Sequence, residues 1–298
     1  MPKEENKDLK SQKIGFLGLG SMGGNMARNL LQEGYDLCGF DPDRDKLEQF
    51  RENGGAVRRS PKEVISDCEI LLTSLPNSDV HVEVAESDIL PNLAEGQIVV
   101  ALGTVVPGEV RRLAEKVSKR GASLLDVPVS GGVSGAEGGT LRMFAGGSKE
   151  AFLTIRPILE VLGNPDRIVY CGENGLGQVT KGVNQLAMGL SSAAYLEALA
   201  LGVNCEVDPS VLEQGIGGEE GWRKSLRDTA QLLVEGQGEE IGVKHGQLPY
   251  FIEEARNRGF ELPLTECLWN YLKGAEKIIQ EANRESPSFW HELKKETD

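Results

Sequence analysis

Apolar residues in the first half of the chain fall into short runs divided by stretches of helical spacing. Lys13–Leu17 is an apolar run that stops at glycine, as a buried parallel strand does. Met22, Met26, Leu30 and Leu31 then recur at helical spacing over Met22–Glu33, and Gly34 can close that helix. Tyr35–Phe40 predicts a second strand and Asp45–Asn53 a second helix. Ile70–Leu75 and Ile98–Leu102 are two further strand runs, with a short helix from His81 to Ser87 between them. Val110, Leu113, Ala114 and Val117 share one face of a helix over Val110–Arg120. Strands over Ser123–Val127, Leu141–Ala145 and Arg167–Cys171, and a helix over Glu150–Leu162, continue the alternation.

Strand and helix alternating over 13–171 predict an α/β fold, a Rossmann-type doubly wound sheet. The pattern then changes. Val179 to Val203 is one long, largely apolar helix, and no convincing strand run follows it. The expected organisation is a polar disordered tail over 1–12, a dinucleotide-binding domain over 13–174 and an all-α domain over 175–298, entered through a long interdomain helix.

Composition narrows the function classes. The 298 residues carry 46 acidic against 32 basic side chains, a formal charge of −14, which opposes nucleic-acid backbones. A local basic pocket can still receive a small anion. The five cysteines form no CxxC pair and are odd in number, which points to reduced thiols in the cytoplasm and away from a disulfide frame. With only three histidines and no clustered ligands, no metal site is expected. No apolar stretch is read as approaching a membrane span, and the polar start lacks the apolar core of a signal peptide.

Chemistry first surfaces at Gly18-Leu19-Gly20-Ser21-Met22-Gly23, a GxGxxG between a strand and a helix. The first glycine permits the turn, the second lets a pyrophosphate approach the backbone, and the third lets helix and strand pack closely. The helix N-terminus offers its N–H groups to the phosphates. Asp41 ends the second strand about 20 residues on, where an acid accepts from a ribose 2′-OH. NAD is therefore favoured as cofactor, with NADP left open by the nearby Arg44.

Two later segments carry further signals. Ser130-Gly131-Gly132 sets a hydroxyl beside glycines whose exposed N–H groups can cradle a carboxylate. Lys181 lies one turn into an apolar helix, where a lysine either snorkels to solvent or works as an acid–base group with a lowered pKa. Gln178, Asn184 and Gln185 fall at helical spacing from Lys181 and present amides on its face, either to a substrate or as polar lining.

Four ordered segments resemble the β-hydroxyacid dehydrogenase family: GFLGLGSMGGNMARNL (15–30), LPNSDVHVEV (75–84), DVPVSGGVSGAEGGTLRMFAGG (126–147) and GLGQVTKGVNQ (175–185). The likeness covers nearly all of 13–275. It implies an NAD(P)-dependent oxidoreductase, EC 1.1.1.-, acting on a small β-hydroxy carboxylate or its semialdehyde, such as 3-hydroxyisobutyrate or tartronate semialdehyde. It implies Lys181 as general acid/base, and Ser130, Gly131, Gly132, Asn184 and Gln185 as substrate contacts. It implies the glycine turn, Asp41, Leu75, Pro76, Thr104 and Lys244 as cofactor contacts, and a homodimer or homotetramer. Where the family pattern reads Asp-x-Ser-Thr-x-x-Pro, this chain reads Ala101-Leu102-Gly103-Thr104-Val105-Val106-Pro107, and His245 and Gln237 are further departures. Trp222 and Arg223 fall where the resemblance places the substrate pocket's rim. A catalytically silent dinucleotide-binding scaffold and an imine reductase are the alternatives; Lys181 argues against both, and the intact serine-glycine segment against the first.

Overall fold

A computed structural model describes Lys10, residues 12–235 and residues 246–270. The tail expected over 1–12 lies, apart from Lys10 and Gln12, outside the described residues. The chain divides into two compact units, Met1–Gly182 and Val183–Asp298.

The first unit is built on one sheet. Strands β1 (Lys13–Leu17), β2 (Asp36–Phe40), β3 (Ala56–Val57), β4 (Ile70–Thr73), β5 (Ile98–Ala101) and β6 (Ser123–Asp126) are all parallel and lie in the order β3-β2-β1-β4-β5-β6. Beyond β6 the sheet turns mixed. β8 (Leu141–Gly147) runs antiparallel to β6 and to the short β7 (Val129–Ser130), and β9 (Gly163–Gly172) pairs parallel with β8. The doubly wound expectation is met, and the order reverses between β1 and β4. Such a switch point opens a crevice at the carboxyl ends of the strands.

Alternation along the strands covers both faces. Ile14 and Phe16 of β1, Ile70 and Leu72 of β4, and Val100 of β5 enter one core. That core is filled by α1 (Gly23–Gln32) through Met26, Ala27 and Leu30, and by α8 (Lys149–Leu162) through Phe152, Ile155, Ile158 and Leu159. The intervening residues Leu17, Leu71 and Val99 face a second core. It is closed by α3 (Pro61–Ser66) through Val64 and Ile65 and by α6 (Pro107–Ser118) through Val110, Leu113 and Val117. Helix α2 (Arg44–Glu52) adds Phe50 to the first core. The helix expected near His81 runs over α4 (Ser78–Val84), a π turn at Ala85–Ile89, and α5 (Leu90–Asn92). Another short helix of this unit, α7 (Gly132–Glu137), follows β7.

The division between the units falls inside α9 (Leu176–Asn204). The second unit continues with α10 (Pro209–Ile216), α11 (Gly221–Val234), α12 (Leu248–Asn257) and a helix over 263–270. Among the described residues it contains no strand. Its core gathers Leu196, Leu199 and Ala200 of α9 with Ala230, Leu248 and Leu268.

One sequence expectation is corrected by α9. Leu176–Val203 is long and apolar enough, by length and composition alone, to cross a membrane. Interspersed polar residues (Gln178, Lys181, Asn184, Gln185) hid that length in the sequence. Only 22% of that window is buried, and Leu196, Leu199 and Ala200 are the part of it packed into the core of the second unit.

Candidate active site

β1 ends at Leu17 and the chain turns sharply at Gly18, whose φ of +88° a side chain would strain. A Cβ at Gly18 would also collide with the Ser74 carbonyl, and one at Gly23 with the Gly18 carbonyl. Gly20 differs: nothing lies within 4 Å of where its Cβ would be. Two glycines thus serve packing, and the third keeps backbone open to an approaching group. Helix α1 begins at Gly23 with no acidic residue in its first turn, so its N-terminal N–H groups meet no competing carboxylate there.

The turn forms one wall of a cavity of about 590 Å³. Gly18, Gly20, Ser21, Met22, Gly23, Asp41, Leu75 and Pro76, all expected from sequence as cofactor contacts, line it together. Leu19 does not. Its side chain is buried in the core, and its N–H donates to Asp41 Oδ2 at 2.7 Å. Asp41 Oδ1 accepts the Asp43 N–H at 2.9 Å, so both carboxylate oxygens are held by backbone. Leu17, Phe40, Pro42, Pro61, Ser74, Val80 and Val84 complete the wall, and no sequence motif marks them as cofactor contacts. Only tertiary packing brings α3 and α4 to this cleft.

Across β5, Thr104 sits half-buried in a loop that is tied down on both sides. The Val106 N–H donates to Ser78 Oγ at 3.0 Å. The Val105 N–H donates to Gln178 Oε1, and Gln178 Nε2 donates to the Gly103 carbonyl, each at 3.0 Å. The side-chain amide of Gln178 is therefore engaged by backbone at both ends.

Asp126, the last residue of β6, seats the start of α9. Its Oδ1 accepts the Gly175 N–H at 2.8 Å and its Oδ2 the Gln178 N–H at 3.0 Å. Burial pushes its carboxyl up to about 6 despite these bonds. A Cβ on Gly146 or Gly177 would press against this carboxylate, at 2.7 and 2.8 Å, so the contact is tight. Nothing in the sequence pattern marks Asp126, although it opens the DVPVSGG segment.

Four residues beyond Asp126, Ser130 ends β7 and Gly131 and Gly132 carry φ of +145° and +64°, conformations suited to glycine. The two glycines are exposed. Lys181 lies one turn after Gln178 on α9, in the first unit, and is 6% exposed. At this burial its side chain is drawn out of water and does not snorkel to solvent. Asn184 and Gln185 belong to the second unit. There Asn184 Nδ2 contacts Met188 Sδ at 3.4 Å and Gln185 Nε2 donates to Gln247 Oε1 at 3.2 Å. Trp222 and Arg223 stack on each other, with 4.6 Å between guanidinium and ring centre. Lys244, Gln237 and His245 lie outside the described residues.

Burial also shifts one histidine and two thiols. His81 on α4 is buried and held neutral, its pKa pushed down to about 4. The Cys38 and Cys68 thiols, both buried, are pushed up to about 11 and about 12. All five cysteines are free. Among the described residues, no group of three His, Cys, Asp or Glu side chains is placed to hold a metal ion.

Known proteins resemble this chain in sequence and fold. Residues 13–172 match the family described as the NAD binding domain of 6-phosphogluconate dehydrogenase. A 2-(hydroxymethyl)glutarate dehydrogenase from Eubacterium barkeri is 32% identical over 271 residues, 89% of each chain. A probable mitochondrial 3-hydroxyisobutyrate dehydrogenase from Dictyostelium discoideum is 39% identical over 205 residues, 68% of this chain and 63% of that protein's length. The solved structure of 3-hydroxyisobutyrate dehydrogenase from Mycobacterium tuberculosis with L-serine superposes with a TM-score of 0.77 at 24% identity, covering 95% of this chain and 98% of that one. This last likeness speaks to fold, and the sequence matches speak to descent. The chain belongs to the β-hydroxyacid dehydrogenase family, and its residues 13–172 are an NAD-binding domain.

Proposed function

We propose that the chain is an NAD(P)-dependent oxidoreductase acting on a small β-hydroxy carboxylate or its semialdehyde, with Lys181 moving the proton. One observation carries the reading. Lys181 is buried on a helix whose first turn is pinned by Asp126 and Gln178 to the same sheet that opens into the dinucleotide cleft. The relatives named as hydroxy-acid dehydrogenases support the substrate class.

The cleft suits a dinucleotide. The open space at Gly20 and the uncapped N-terminus of α1 suit a pyrophosphate, and Asp41 suits an adenosine ribose. Its carboxylate, held by the Leu19 and Asp43 N–H groups, keeps further lone pairs for the ribose hydroxyls and repels a 2′-phosphate, which favours NAD. A bound nicotinamide would supply the hydride acceptor. The chain's own residues do the rest. The N–H groups at Gly131 and Gly132, with the Ser130 hydroxyl, hold the substrate carboxylate. Neutral Lys181 Nζ takes the alcohol proton as the carbonyl forms, and its ammonium returns that proton in the reductive direction. Thr104 meets the nicotinamide ribose. The family resemblance adds Asn184 and Gln185 as partners of the reacting oxygen and Lys244 as a further cofactor contact.

Replacing Lys181 with alanine tests the reading. Oxidation of 3-hydroxyisobutyrate or 2-(hydroxymethyl)glutarate should fall by at least roughly a hundredfold while dinucleotide binding persists. Turnover close to wild type would remove Lys181 from the chemistry. We further propose a homodimer or homotetramer, because α9 leaves Val183, Met188 and Leu201 more than half exposed, at 65%, 56% and 69%. A monomeric mass by light scattering would count against it.

A further inference from the structure

Gln178 has a task that its position in the sequence does not suggest. Its spacing from Lys181 reads as a substrate-facing amide. In the fold it is fully buried and turned to the loop after β5. Oε1 accepts from Val105 and Nε2 donates to Gly103, both at 3.0 Å, so the amide brackets Thr104 from both sides. The main chain of Gln178 is fixed as well, because its N–H donates to Asp126 Oδ2 at 3.0 Å. The loop it grips continues to the cleft. Val106 is tied to Ser78 at the start of α4, which lines the cleft through Val80 and Val84. Gly103 lies close under Leu75, where a Cβ would sit 3.2 Å from the Leu75 carbonyl. One side chain thus joins the turn that carries Lys181 to the loop that carries Thr104, the contact proposed for the nicotinamide ribose.

We propose that Gln178 is a positioning residue that sets the register between Lys181 and the loop Gly103–Val105, and hence between the proton-transfer group and the nicotinamide. The proposal rests on the reading of Lys181 given above and deepens it. Both ends of the amide are committed to backbone, so it acts by placement and not by touching substrate. Without it, a buried N–H at Val105 and a carbonyl at Gly103 lose their partners, and the loop relaxes to recover them. A displacement of about 1 Å at the reacting atoms is enough to cost roughly a hundredfold in rate.

Two substitutions and one control test this in the full-length protein, with NAD and 3-hydroxyisobutyrate or 2-(hydroxymethyl)glutarate. Gln178→Ala should lower kcat by roughly 10- to 100-fold, leave the dinucleotide KM within about threefold, and raise the deuterium isotope effect on hydride transfer. Gln178→Glu keeps an acceptor for the Val105 N–H but cannot donate to the Gly103 carbonyl until the introduced carboxyl is protonated. Its kcat deficit relative to wild type should therefore close as the pH falls from about 9 to about 6, while that of Gln178→Ala stays constant. Lys181→Ala separates the two ideas. Turnover retained in Lys181→Ala sinks the lysine reading and the register proposal with it. Turnover lost in Lys181→Ala but unchanged, with an unchanged isotope effect, in Gln178→Ala sinks the register alone. If Gln178→Ala does not fold, the pH response of Gln178→Glu decides: a deficit that closes on acidification supports the proposal, and one that does not overturns it.

Discussion

The carboxylate of Asp41 accepts the backbone N–H of Leu19 at 2.7 Å, which ties the end of β2 to the glycine turn after β1. The residue proposed to choose the cofactor is therefore also a strut of the turn that holds it. Asp41→Ser should then have two effects. Leaving the Leu19 N–H without its charged acceptor should cost about 2 kcal/mol of stability in urea unfolding. Losing the negative charge should shrink the preference for NAD over NADP, read as the ratio of kcat/KM values, by roughly tenfold or more. An unchanged ratio would show that Asp41 supports the turn and selects nothing.

The glycines of the turn separate by what surrounds them. A methyl at Gly23 would strike the Gly18 carbonyl, so Gly23→Ala should destabilise the fold by several kcal/mol, about the scale of severe overpacking. A methyl at Gly20 meets nothing within 4 Å. Gly20→Ala should leave the melting temperature within about 2 °C and weaken dinucleotide binding, measured by calorimetry, by roughly tenfold or more. Equal losses of stability in the two variants would contradict this division.

Asp126 links pH to stability. Burial raises its carboxyl from 3.8 to about 6, so the folded state holds this proton more tightly than the unfolded chain does. Its contribution is fully present below pH 3.8 and is lost as the pH rises through about 6. Asp126→Asn should abolish that segment of the profile, on the order of 2 to 3 kcal/mol between acid and neutral pH. It also sets an amide donor against one of the two N–H groups at the start of α9, so kcat should fall as well. Denaturant unfolding at several pH values would show the profile; an unaltered slope would refute the assignment.

His81 acts in the opposite sense. Burial holds it neutral, with its pKa lowered from 6.5 to about 4, so the unfolded chain takes up the proton first. Stability is fully present above pH 6.5 and declines as the pH falls toward 4. His81→Gln should flatten this decline by on the order of 2 to 3 kcal/mol at pH 4.5, provided the amide is accommodated at neutral pH. Paired unfolding curves at pH 7 and pH 4.5 would reveal it. An equal acid-side loss in both proteins would place the sensitivity elsewhere.

Much of the first unit is legible in the sequence because its strands are apolar runs punctuated by glycine. Ile14, Phe16, Ile70 and Leu72 on one face, and Leu17 and Leu71 on the other, show why these runs are continuous: both faces of the sheet are covered. The two-residue strands β3 and β7 have no period to read. Helix α3 does carry a local signal, Ser60-Pro61-Lys62-Glu63, in which Ser60 Oγ accepts the Glu63 N–H at 3.3 Å. The cleft was legible where chemistry is local, at Gly18–Gly23, Asp41 and Leu75–Pro76, and silent where Pro61, Val80 and Val84 arrive by packing. Gln178 shows the limit most clearly. Helical spacing ties it to Lys181, but its partners Gly103 and Val105 lie 75 and 73 residues away along the chain.

Every residue that lines the 590 Å³ cavity comes from between Leu17 and Val84. The grip proposed for the pyrophosphate and the adenosine ribose is thus inherited from the first third of the chain. The Ala101-Leu102-Gly103 segment lies outside that stretch and leads into Thr104, so changes there bear on the reacting half of the coenzyme and leave its adenosine half alone.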